Sequence, residues 1–158
     1  MKRTLVLLAV SFLGLAACQP SKEQIKSSVD AQLVINKGID SVYKILENSY
    51  ETYHAGTMDA ALEGFSSFLT KAETDLKTIK PLTESGQLTS ALEGKIAVMK
   101  SIAANEAVEQ VRIYKLPDTV FTDDLRQKWD KMSKEVNQKI SEAQKKIDEA
   151  CSQINKSL

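Results

Sequence analysis

The stretch Thr122–Ile154 reads TDDLRQKWDKMSKEVNQKISEAQKKIDEACSQI. Its apolar residues Leu125, Trp129, Met132, Val136, Ile140, Ala143, Ile147, Ala150 and Ile154 recur at steps of four, three, four, four, three, four, three and four. That rhythm is one face of a helix, close to a heptad seam with a single slip. Thr122 is placed to cap the helix, and Asp123 and Asp124 stand in the first turn, where acids oppose the positive end of the helix dipole. The other faces set Asp130 four before Lys134, Glu135 before Lys139 and Glu142 before Lys146, spacings that favour ion pairs along a helix. Lysines interleaved with acids describe a solvated face rather than a nucleic-acid patch.

Upstream of this segment, Leu88, Leu92, Ile96, Met99, Ile102, Ala103, Val108 and Val111 predict a helix running to about Tyr114. Met58, Leu62, Phe65, Phe68, Leu69, Ala72, Leu76 and Ile79 predict another, opened by Thr57 and ended by Pro81, because a residue before proline is driven out of helical geometry. Leu82 to Gln87 reads as a loop. The first helix begins at a capping box, Ser21 with Gln24. Its stripe is Ile25, Val29, Leu33, Ile39, Val42, Leu46, Tyr50 and Tyr53, interrupted by Gly38, with Ala55-Gly56 as the expected stop. The apolar stripes carry no consistent polar intruder. The expectation is an all-α domain over residues 22–158, an up-down-up-down four-helix bundle with long first and last helices. A three-helix arrangement that leaves the stretch around residue 115 unstructured is the alternative.

The chain opens differently. Lys2 and Arg3 precede the apolar run Leu5 to Gly14, and Leu15-Ala16-Ala17-Cys18 closes it. A basic start, a short apolar core and small residues before a cleavage point describe a secretory signal. The run is too short to span a bilayer, which takes about 20 residues. Leu-Ala-Ala-Cys resembles the lipobox of bacterial lipoproteins. The resemblance implies removal of residues 1–17 as a signal peptide and acylation of Cys18. It implies a short tether over residues 18–21 and a lipid bilayer as a partner through that cysteine. Gln19 after the cysteine implies the outer membrane, at its periplasmic face or at the surface. The resemblance covers residues 1–18 and says nothing of activity.

Lys and Arg number 21, as do Asp and Glu. Lys2 and Arg3 leave with the signal, so the remaining side chains stand at 19 against 21, a net charge of −2. A near-neutral chain argues against nucleic acid as a partner. With Cys18 committed to lipid, Cys151 is left without an internal partner; it is expected as a small, partly buried apolar residue, and a disulfide-linked dimer or a reactive thiol is the alternative. Asp148 and Glu149 beside it disfavour the thiolate.

The chemistry-bearing residues are few. His54 is the one histidine, which excludes His-based triads and multi-histidine metal sites. It is expected at the end of the first helix, and its pairing with Met58 as haem ligands is interrupted by Gly56 and Thr57. No glycine-rich phosphate loop or nucleophile motif is present. The reading is therefore no enzyme, no cofactor and no metal.

One connection stands out. Arg112 to Phe121 holds Ile113, Tyr114, Leu116, Val120 and Phe121 around Pro117, too apolar for a loop left wholly in water, so it either folds back on the bundle end or meets a partner. Tyr114, Leu116, Val120 and Phe121 are the candidate partner-binding residues, with Tyr53 and His54 at their margin. The functional expectation is a membrane-anchored, non-enzymatic protein-interaction module of the envelope, bound to an envelope protein as pilotins, immunity, exclusion and assembly accessories are. The alternative is a helical-bundle carrier of an apolar ligand in the periplasm. If Cys18 is the acylated residue, Cys18→Ser abolishes incorporation of radiolabelled fatty acid in growing cells; continued labelling contradicts the anchor.

Overall fold

The computed structural model describes residues 20–52 and 54–157. The expectations that fall on residues 1–19 and on Tyr53 lie outside the described residues, Cys18 among them. All regular structure among the described residues is helical: α1 (Lys22–Tyr50), α2 (Ala55–Thr78), α3 (Gly86–Ala104), α4 (Glu106–Tyr114) and α5 (Asp123–Ser157). Single 3-10 turns lie at Thr83–Ser85 and Asp118–Val120. The all-α expectation holds, and the first and last helices are the longest, at 29 and 35 residues.

The capping box forms as the sequence predicts. Ser21 Oγ accepts the Gln24 N–H at 3.2 Å, and Gln24 Oε1 accepts the Ser21 N–H at 2.9 Å. The end of α1 differs. It closes at Tyr50, where the Ser49 carbonyl takes both the Thr52 N–H at 3.2 Å and the Thr52 hydroxyl at 2.7 Å. Hydroxyls that bond back to helix carbonyls compete with further turns of helix, so Ala55-Gly56 opens α2 instead of stopping α1. The cap of α2 is His54, whose carbonyl accepts the N–H groups of Thr57 at 3.0 Å and Met58 at 3.1 Å. Thr57 thus sits inside the first turn, and His54 lies at the positive end of α2, not at the negative end of α1.

The expected third helix is two. At Asn105 the backbone leaves helical geometry, with φ −121° and ψ −79°. The Ser101 carbonyl there accepts both the Asn105 N–H at 3.1 Å and its side-chain amide at 2.9 Å. The stretch read as loop from Leu82 folds into the 3-10 turn and runs into α3 at Gly86.

Helix α3 is the shared surface: α1, α2, α4 and α5 all pack on it. Ile39 and Leu46 of α1, Leu69 of α2, and Leu88, Leu92, Met99 and Ile102 of α3 are wholly enclosed. Gly38 lies opposite Phe68 of α2, where a Cβ would come within 2.4 Å of the ring. Its role is close approach, within a continuous α1.

The interior is not purely apolar, which corrects the reading of unbroken apolar stripes. Ser28, Gln32 and Asn36 are buried on α1 at steps of four, beside Ser85 and Lys95. Ser28 Oγ lies 3.3 Å from Ser85 Oγ, and the Thr89 hydroxyl donates to Gln32 Oε1 at 3.2 Å. Lys95 of α3 is 1% exposed. Its ammonium donates to Asn36 Oδ1 at 2.8 Å, Asp40 Oδ1 at 2.6 Å and Gln144 Oε1 at 2.8 Å. An ammonium has three N–H donors, so its capacity is filled by α1 and α5 together.

Removing one partner of a buried charged network costs about 3–5 kcal/mol, whereas replacing the whole of it with apolar groups is often neutral. Lys95→Ala is accordingly expected to lose stability on that scale in urea titrations, and the triple change Asn36→Leu, Lys95→Met, Gln144→Leu to recover most of it. A Lys95→Ala variant as stable as the parent contradicts this account of the core.

Candidate functional site

The last turn of α4 closes with the Lys115 N–H on the Val111 carbonyl at 3.2 Å and the Leu116 N–H on that of Ile113 at 3.1 Å. Pro117, which cannot continue the helix's hydrogen bonding, leads into the turn Asp118–Val120, where the Val120 N–H bonds the Pro117 carbonyl at 2.9 Å. Thr122 then caps α5 as expected, its hydroxyl accepting the Leu125 N–H at 3.3 Å. The connection therefore wraps around one corner, where α4 and α5 meet.

An aromatic cluster fills that corner from beneath. Tyr50 of α1 stacks on Tyr114 of α4 with ring centres 5.2 Å apart, and Trp129 of α5 stands edge-on to both, at 6.4 and 5.5 Å. Such contacts add about 0.5–1.5 kcal/mol each beyond area burial. Behind the cluster Gln110 donates to Ser133 Oγ at 2.9 Å. Burial, followed by the charge of Glu47, pushes the Tyr50 phenol above its ordinary range, so it stays neutral.

Above the cluster opens a groove of about 340 Å³. Its apolar wall is Tyr114, Leu116, Phe121 and Trp129, and its polar wall is Asp118, Arg126 and Asp130. The structure thus brings three of the sequence-predicted residues, Tyr114, Leu116 and Phe121, around one concavity. Phe121 is 40% exposed, and Val120 is exposed at the groove's edge without lining it. His54 is exposed at the start of α2 and lines no part of the groove.

Trp129 and the charged wall were missed as site residues. Its spacing places Trp129 on the seam, and it is only half-buried; its indole N–H is enclosed with no acceptor among the described residues. The signal for Arg126 and Asp130 is their spacing, each one residue after a seam position, Leu125 and Trp129.

Ion pairs brace the corner from two sides. Lys115 of α4's end pairs with Asp59 of α2, Glu106 of α4 with Lys139 of α5, and Glu109 of α4 with Lys128 of α5. Lys139 is therefore spent across helices, while Glu135 faces Lys131 at 3.8 Å, not Lys139 as its spacing implied. Cys151 lies on α5, about 33 Å along the helix from Trp129 at 1.5 Å per residue. It is half-buried and a free thiol, its pKa raised by burial and then by Asp148.

Among the described residues no group of three or more His, Cys, Asp or Glu side chains is disposed to hold a metal, and no helix is long and apolar enough to cross a membrane. No protein-family model, curated protein or solved structure matches the chain.

Hydrogen bonds from Arg112 and then Lys128 hold the Glu109 carboxyl down at about 2, from an ordinary 4.5. A carboxylate whose pKa falls on folding stabilises the fold above its unfolded pKa and loses that contribution as pH drops towards the folded one. Between pH 4.5 and 2 the α4–α5 brace is expected to weaken. In melts across that window, Glu109→Gln should lose less stability than the parent; parallel profiles contradict the brace.

Proposed function

We propose that this protein is a non-enzymatic interaction module, held to the bacterial envelope by acylated Cys18, that docks a segment of another envelope protein in the aromatic groove. The observation that carries the reading is the groove itself. Apolar side chains from α4, the connection and α5 stand open around one concavity over a rigid aromatic floor. Interface anchors of this composition, rich in Trp and Tyr, supply much contact area at little entropic cost.

In this reading the helices alternate in direction, as an up-down-up-down bundle does. Residue pairing supports it. Ser28 meets Ser85, Asn36 meets Lys95 and Tyr50 meets Gln110 as α1 and the α3–α4 pair advance together. On α5 the order reverses, with Gln144 against Lys95 and Ser133 against Gln110. On α2 it reverses as well, with Glu73 paired to Lys100 and Asp59 to Lys115. The tether then enters at the start of α1 and the groove stands by its other end, about 43 Å away for 29 residues at 1.5 Å each. A protein on a lipid anchor presents that end to whatever approaches the membrane.

The test is a photo-crosslinking amino acid at Val120, beside the groove, compared with one at Ile45, exposed on α1. The Val120 position is expected to yield an adduct of defined mass in the native envelope. Leu116→Ser with Phe121→Ser should abolish it, with stability changing by less than about 2 kcal/mol, the lower edge for core truncations. An undiminished adduct, or a double variant that unfolds, contradicts the reading.

A further inference from the structure

The groove's charge says what kind of segment it takes. Asp118 and Asp130 line it, and Asp123 and Asp124 stand on the first turn of α5 just before it. All four carboxylates are exposed, and none is in an ion pair among the described residues. Three nearby cations are otherwise engaged. Lys115 is held by Asp59, Lys128 by Glu109 and Arg112 by Glu109. Arg126 is the one cation in the lining.

Elsewhere some exposed acids hold cations and others, such as Glu63 and Glu93, are in no ion pair among the described residues. Glu73 holds both Lys77 and Lys100, Glu106 holds Lys139, and Glu109 holds two cations. Around the groove four carboxylates stand against one lining cation, Arg126, a local excess of negative charge on a chain of near-zero net charge. Unpaired carboxylates flanking an open apolar surface are complementary to cations flanking an apolar side chain. Trp129 and Tyr114 add aromatic rings, which also attract cations. The groove's volume, about 340 Å³, is at the small end of ligand pockets, which run about 300–1,000 Å³. It has room for one or two side chains of a short segment.

We infer that the groove recognises a short peptide segment in which an aromatic or aliphatic anchor is flanked by Lys or Arg. The anchor enters between Leu116, Phe121 and Trp129. The flanking cations meet Asp118 and Asp130 of the polar wall, and the Arg126 guanidinium between them in the lining can donate to the segment's backbone carbonyls. The inference rests on the docking reading above, and adds to it the chemistry of the partner.

The experiment is selection of a random heptapeptide phage library on the immobilised domain, followed by titration of the winning sequences as labelled synthetic peptides. The expected winners carry an aromatic or Leu residue within two positions of Lys or Arg. Asp118→Asn with Asp130→Asn, both exposed and expected to fold as the parent does, should weaken them by about fivefold or more, the loss of about 1 kcal/mol expected for exposed ion pairs. Raised salt should weaken them as well. Winners that are acidic or uncharged yet lost in Leu116→Ser with Phe121→Ser would overturn the charge inference while leaving the groove as a docking site. Winners unaffected by that apolar double variant, or no enrichment at all, would overturn both. Circular dichroism of each variant separates lost binding from lost folding.

Discussion

An ammonium group taken out of water costs several kcal/mol unless each of its N–H groups finds an acceptor. Lys95 meets that condition with Asn36 and Asp40 of α1 and Gln144 of α5. The constraint is geometric as much as energetic. Sliding α1 by one turn moves its acceptors by about 5.4 Å, which strips two bonds from a charge that has no water to replace them. Apolar ridges tolerate such slips far better, since one leucine packs much like the next. Lys95, with the Ser28–Ser85 and Gln32–Thr89 contacts along the same line, therefore fixes which residues of α1, α3 and α5 face one another. Such use of buried polar groups to set register is their best-attested role.

The groove follows from that register. With α3 held, the chain breaks at Asn105 and α4 is directed into the corner between α2 and α5, where ion pairs to Asp59, Lys128 and Lys139 hold it. Tyr114 then falls on Tyr50 and beside Trp129, and the short Pro117 connection has no room to cover them. The open corner is a consequence of ending a helix over a rigid aromatic floor and returning at once along α5.

Much of the helical plan was legible in the sequence because steps of three and four in apolar residues report the face that packs. The α5 seam from Val136 to Ile154 is buried or half-buried at each apolar position named, and the Ser21 and Thr122 caps formed as their side chains predict. The α1–α2 turn was not legible, since Ser49 and Thr52 hydroxyls ended α1 before the glycine could. The polar ladder was present as Ser28, Gln32 and Asn36 at steps of four, yet polar residues at helical spacing read as a wet face until something is known to cover them. Lys95 and Gln144 carry no local mark at all, because their burial depends on partners 59 and 49 residues away in the chain. The apolar connection announced the groove, whereas its acidic wall needed the turn that brings Asp118 near Asp130.

If the register is set by Lys95, its ammonium is sealed in the folded protein, and chemistry at lysines reads this directly. Brief acetylation of the native domain with an activated ester, followed by peptide mass spectrometry, ranks each lysine by its rate of modification. Lys95, 1% exposed, should react far more slowly than exposed lysines such as Lys26 and Lys145, and catch up only once denaturant unfolds the chain. Lys95 modified as fast as Lys26 in the native protein would contradict the account.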